Sequence, residues 1–198
     1  MKKLMIFIFL TLISCNVKEP ISIKELISDE IVTIRPDYQK SEIKKDSVPI
    51  TIPIEFEITA NTENLRNLGL YFISINNQRL LDDINDYQTY YKDNKTERIF
   101  FALNKDDLVT QKKFHIIIKI RTQMISREVA ETILKKYNIN KSFENLKFRD
   151  TIKLIGYNQF RKDNPDIVED FRRVSDSIVF SMSLKGGERV HISKKINW

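Results

Sequence analysis

One cysteine, two histidines, four glycines, one tryptophan and three alanines are all that 198 residues contain of those types, and each shortage excludes something. With Cys15 alone, no disulfide framework and no cysteine-ligated zinc site can form, so the fold holds by packing. His115 and His191 are far apart, and no His-x-x-x-His pair exists to seat a catalytic metal. Each lies between apolar neighbours, Phe114 and Ile116 or Val190 and Ile192, so both are expected to face outward from strands. Four glycines match neither the Gly-x-Ser-x-Gly elbow of serine hydrolases nor a glycine-rich phosphate loop. No catalytic residue, no metal site and no cofactor is expected. Scarce alanine beside abundant isoleucine, lysine and asparagine looks like the output of an AT-rich genome, which inflates apparent strand propensity.

The one long uncharged run is at the amino end. Met1-Lys2-Lys3 is positive, and Leu4 to Ile13 has no charge. About ten apolar residues fall well short of the roughly 20 that span a bilayer, so the run reads as the core of a signal peptide. It ends in Leu12-Ile13-Ser14-Cys15. These residues resemble the lipobox of bacterial lipoproteins, over the first fifteen positions only. The resemblance implies diacylglycerol on the Cys15 thiol, cleavage between Ser14 and Cys15, and acylation of the new amino terminus. An ordinary secretory signal with an incidental cysteine is the alternative, and the absence of any other cysteine stands against it. Several acyl chains on one residue make a lasting anchor where one chain is marginal. Asn16, where an inner-membrane retention signal has Asp, leans the expected address toward the outer membrane. The layout expected is a signal peptide over 1–14, a lipidated tether over 15–30, and one strand-rich domain over 31–198.

The formal charge of +6 falls to +4 without Lys2 and Lys3. Both signs are mixed along the chain, with no basic block interleaved with aromatics, so nucleic acid is not an expected partner. Ile50, Ile52, Ile54, Phe56 and Ile58 alternate with polar residues and Pro53, which predicts a strand over 48–59 with one buried face and one wet face. Pro49 and Pro53 cannot donate ladder hydrogen bonds, so that strand is expected at an edge or with a bulge. Further strands are predicted over 31–34, 68–75, 114–120, 151–155, 177–184 and 189–196. Asn76-Asn77 is expected to turn 68–75 into a hairpin with 78–81, and Gly186-Gly187 to do the same near the end. Two helices interrupt this pattern. Ser126 caps the first, whose late Lys135 and Lys136 suit a carboxyl terminus, and Asn164 with Pro165 starts the second. The fold class expected is mainly β with two inserted helices. The candidates are an antiparallel β-sandwich, an immunoglobulin-like one included, and an α+β layout.

Two clusters remain. Asp82, Asp83, Asn85 and Asp86 offer oxygen ligands, but the glycine and closing glutamate of the known calcium loop are missing, so a solvated turn is the plainer reading. Tyr87-Gln88-Thr89-Tyr90-Tyr91 is unusual for a loop. Flat rings beside amide and hydroxyl groups suit a sugar or peptide, which makes Tyr87, Tyr90 and Tyr91 a candidate ligand platform. The competing reading packs these rings over a sheet. The expected function is a lipid-anchored, non-enzymatic envelope module that binds or assembles with a protein or glycan, immunity or inhibitor lipoproteins included. An envelope hydrolase acting on wall or polysaccharide through paired acids is the alternative.

Overall fold

A computed structural model describes residues 19–35, 46–81, 86–147 and 150–198. From the amino end come β1 (Ile21–Leu26), β2 (Ile31–Ile34) and β3 (Ser47–Ala60). A hairpin of β4 (Leu65–Ile75) and β5 (Gln78–Arg79) leads to β6 (Tyr87–Tyr91) and β7 (Ala102–Leu103). Helix α1 (Lys105–Thr110) precedes β8 (Lys113–Ser126), which runs directly into α2 (Arg127–Lys136). Then follow β9 (Ile152–Gly156), α3 (Tyr157–Asp163), α4 (Pro165–Arg172), β10 (Ser177–Leu184) and β11 (Arg189–Lys195).

The strands make two antiparallel sheets. The first, called sheet A, runs β6-β8-β3-β2-β9, with β1 beside β3. The second, sheet B, runs β11-β10-β4-β5, with β7 beside β4. Rings from both sheets meet edge to face between them: Phe56 and Phe101 stand 6.3 and 6.2 Å from Phe180. The even-numbered residues of β3, and those of β8 from Phe114 to Ile120, point into this layer, which is why Ile50 to Ile58 alternate. This is the expected antiparallel sandwich, with six and five strands against the seven of a constant-type immunoglobulin domain.

β3 is not an edge. It has β8 along one side and both β1 and β2 along the other. Its prolines are tolerated for a local reason. Asn61 N–H donates to Pro20 O, so odd-numbered residues of β3 turn their backbone groups toward β1 and β2. Pro53 then falls opposite the break between Leu26, which pairs with Glu55, and Thr33, which pairs with Thr51. Pro49 lies beyond the last pair, Ile34 with Ile50. No ladder bond is lost at either position. The register with β8 shifts between Ile50 and Ile52, but the extra residue is on β8, where Arg121 and Thr122 stand opposite Thr51, so β3 itself does not carry the expected bulge.

Other expectations need correcting. Ile21–Leu26, read from sequence as tether, is a strand paired with β3, because Ile21 and Ile23 add to the inner layer. The outward side of β3 is not wet at its centre: Thr51 and Glu55 are buried there. The β1–β2 link and the segment after β6 close over it, bringing Lys95 within 2.7 Å of Glu30 and Lys92 within 2.6 Å of Glu55. Helices number four among the described residues, not two. Ser126 caps α2 as expected, accepting from Val129 N–H at 3.2 Å. Asn164 stands at the start of α4 but does not cap it. Its amide donates instead to Tyr137 Oη at 2.8 Å and to Phe160 O at 2.9 Å.

Two hairpins match the sequence. Asn76 and Asn77 have φ of 51° and 62°, the left-handed pair that a type I′ turn requires. Gly186 and Gly187 have φ of 113° and 88° in the β10–β11 turn. Beside the sandwich, Trp198 is fully buried with Phe171 6.0 Å away. Its indole N–H donates to buried Asp176 at 2.8 Å, while Arg161 and Arg172 each donate to its main-chain oxygen at 2.9 Å.

Candidate functional site

The tyrosine stretch is strand β6, not a loop, and its alternation separates the rings. Tyr87 and Tyr91 face the inter-sheet layer opposite Ile120 and Ile116, while Tyr90 faces the other way beside Ile117. Tyr87 is buried in the core. Tyr90 donates to Gln88 Oε1 at 2.7 Å, and the Lys119 ammonium lies 4.9 Å over its ring. A single platform of three rings therefore does not form, because successive side chains on a strand take opposite faces.

Tyr91, at the strand's end, borders a cleft of about 650 Å³. Leu103 and Phe114 give it an apolar floor, and Lys92, Asp93, Asp107, Lys113 and His115 ring it with charge. Helix α1 forms one wall. Asn104 starts that helix by accepting from Asp106 N–H and Asp107 N–H, and the Asp107 carboxylate accepts from Asn104 N–H at 2.9 Å. This reciprocal cap lets a six-residue helix stand at the rim. The Asn104-x-x-Asp107 spacing is the sequence signal that could have located it.

Three of the groups around the cleft are engaged with two glutamates just outside its lining, Glu55 and Glu57. His115 Nε2 and Lys113 Nζ lie 2.7 and 3.1 Å from the Glu57 carboxylate. These two partners hold the Glu57 carboxyl below its usual range. Lys92 bonds Glu55, and Thr110 Oγ1 donates to Asp106 O within its own helix. Burial first, then the nearby Asp107 and Asp93 carboxylates, push the Tyr91 phenol up, so it stays a neutral donor at neutral pH. The arrangement offers a flat ring, an apolar floor and fixed charges of both signs.

No protein-family model, no curated protein and no solved structure matches this chain.

The remaining sequence candidates are placed as follows. His115 faces outward on sheet A with Glu57, and His191 is exposed on sheet B, its ring 5.0 Å from that of Tyr71. Asp86 accepts from Leu81 N–H at 2.7 Å, while Asp82, Asp83 and Asn85 lie outside the described residues. Ser14 and Cys15 also lie outside them. Among the described residues no group of three or more His, Cys, Asp or Glu side chains could hold a metal ion, and no helix is long and apolar enough to cross a membrane. Sequence reasoning passed over Tyr71, Arg79 and the acid-free character of sheet B, which becomes visible only once the strand pairing is known.

Proposed function

We propose that this protein is a lipid-anchored component of the bacterial envelope that works by binding and not by catalysis, with the Tyr91 cleft as a ligand site. The anchor rests on Leu12-Ile13-Ser14-Cys15 behind a short apolar run. The observation that carries the binding reading is how the cleft's polar groups are used. Its histidine is partnered by Glu57, its threonine bonds its own helix, and Asp107 caps α1. Fixed charges and a held ring preserve a shape for recognition, whereas proton transfer needs a nucleophile within reach of a base.

The anchor is tested by palmitate labelling of cells expressing the wild type and Cys15→Ser. Labelling of the wild type alone is expected, and continued labelling of the variant would remove the anchor. Protease shaving of intact cells, with a periplasmic control, then assigns the membrane face.

A second reading, hydrolysis of wall or polysaccharide, is favoured by one observation: Asp93 and Asp107 both border the cleft. Opposed carboxylates about 5–10 Å apart are what glycoside hydrolysis uses. Release of reducing ends from envelope polysaccharide, lost in both Asp93→Asn and Asp107→Asn, would favour it over binding.

A further inference from the structure

Sheet B contains no acid. None of β4, β5, β7, β10 and β11 carries Asp or Glu, yet they bring Arg66, Arg79, Arg189, Lys194 and Lys195. Register sorts these side chains by face. Ile178, Phe180 and Met182 of β10 are buried in the inter-sheet layer, so Val179, Ser181 and Ser183 point outward. Their partners across the ladders include Phe72 on β4 and Arg189, His191 and Ser193 on β11.

A bulge organises the middle of this face. The β4–β10 register shifts between Val179 and Phe180, which leaves Tyr71 as an extra residue beside Phe72. Both rings then lie outward, 5.4 Å apart. The Arg79 guanidinium sits 5.1 Å over Tyr71 and 4.8 Å over Phe72, and the His191 ring lies 5.0 Å from that of Tyr71, tilted by 31°. Tyr71 stays 50% exposed in spite of these neighbours. A ridge of Arg79, Tyr71 and His191 thus crosses four adjacent strands. Next to it Asn67, Ser181, Ser183 and Arg189 line a shallow dimple of about 190 Å³, where Asn67 Nδ2 donates to Ser183 Oγ at 2.8 Å.

We propose that the outward face of sheet B is a binding surface for a linear carboxylated polysaccharide. A held, half-exposed ring is a stacking surface for the C–H face of a pyranose. Serine hydroxyls and the Asn67 amide suit sugar hydroxyls, and arginine pairs carboxylates in bidentate fashion. An open face admits a chain laid along its ridge, and strands without acids remove repulsion along its path. An acidic protein would use the cations equally but has no need of the ring and hydroxyl rows. The proposal rests on the binding-module reading and is independent of the anchor.

The test is binding of the detergent-solubilised full-length chain to immobilised polygalacturonate, with dextran as neutral control and polyglutamate as competitor. Salt-sensitive binding to polygalacturonate and none to dextran is expected. Tyr71→Ala and Arg79→Gln should each weaken it about tenfold, and Tyr71→Trp should retain it. Tyr71 is exposed, so its substitution should leave the urea midpoint unchanged. Absence of binding at low salt overturns the proposal. So does equal displacement by polyglutamate with Tyr71→Ala binding as the wild type, which would assign the face to an acidic protein. Loss of binding in Tyr91→Ala but not in Tyr71→Ala also overturns it, while leaving the module reading intact with the cleft as the site.

Discussion

On the outward side of sheet A, Glu30, Glu55 and Glu57 each have a cation within 3.6 Å, whereas the strands of sheet B carry cations and no acid. Both faces are built on the same alternation and share one inner layer. They differ in what their charges do. Ion pairs on sheet A lie partly under the β1–β2 link and the segment after β6, and Glu55 is only 4% exposed. Charges spent on each other in that way hold a surface together and leave little to attract a ligand. Sheet B has the opposite balance, and its stability should depend on its cations hardly at all. A face can thus be polar in sequence for two unrelated reasons, and only the partners tell them apart.

The largest effect should come from the layer that both faces share. Phe180→Ala removes a ring that meets Phe56 and Phe101, and should cost about 3–5 kcal/mol in urea unfolding. Next is sheet A. Lys92→Met leaves the Glu55 carboxylate buried without its 2.6 Å partner, and about 2 kcal/mol is expected once the exposure of the ammonium is discounted. A change under 0.5 kcal/mol there would mean that sheet A's pairs are ornaments and would break the comparison.

Acid should separate the faces further. Burial works against the Glu30 carboxylate, but the Lys95 and Lys119 ammonium groups outweigh it and hold its pKa below the ordinary 4.5. A depressed carboxylate contributes stability that is present above 4.5 and lost as pH falls through its lower folded value. Glu30→Gln should therefore lower the unfolding midpoint at neutral pH and flatten its fall below pH 4.5, where variant and wild type converge. Smallest of all, Arg189→Gln and Lys195→Gln on sheet B should stay within about 0.5 kcal/mol of wild type. A larger loss from either would show that sheet B's cations are structural.

The regular parts of this fold were legible because their signals are local. Alternation from Ile50 to Ile58 marks β3, the Ser126 cap with late Lys135 and Lys136 marks α2, and the paired asparagines and glycines mark two turns. What escaped depends on partners. β1 has two inward isoleucines, Ile21 and Ile23, followed at once by Lys24 and Glu25, too short a period to stand out, and it becomes a strand because β3 offers an open flank. Helices α1 and α3 are six and seven residues long, below the length at which periodicity shows; α1 holds by its Asn104 cap and α3 by burying Tyr157 and Phe160. The wet face expected for β3 was wrong since distant segments cover it. For the site, the tyrosines were noticed, but reading them as a loop hid the alternation that sends Tyr90 away from Tyr87 and Tyr91.

Strand β11 ends sheet B, so among the described residues one of its edges has no strand beside it. Such an edge is a template on which a second copy could continue the sheet. Arg189, Lys194 and Lys195 bring like charge to that border, so two molecules approaching edge to edge repel before their backbones can pair. Whatever neutralises those cations also lifts this protection. A bound polyanion would then do more than occupy a surface: it would license the molecules along it to crowd together and self-associate.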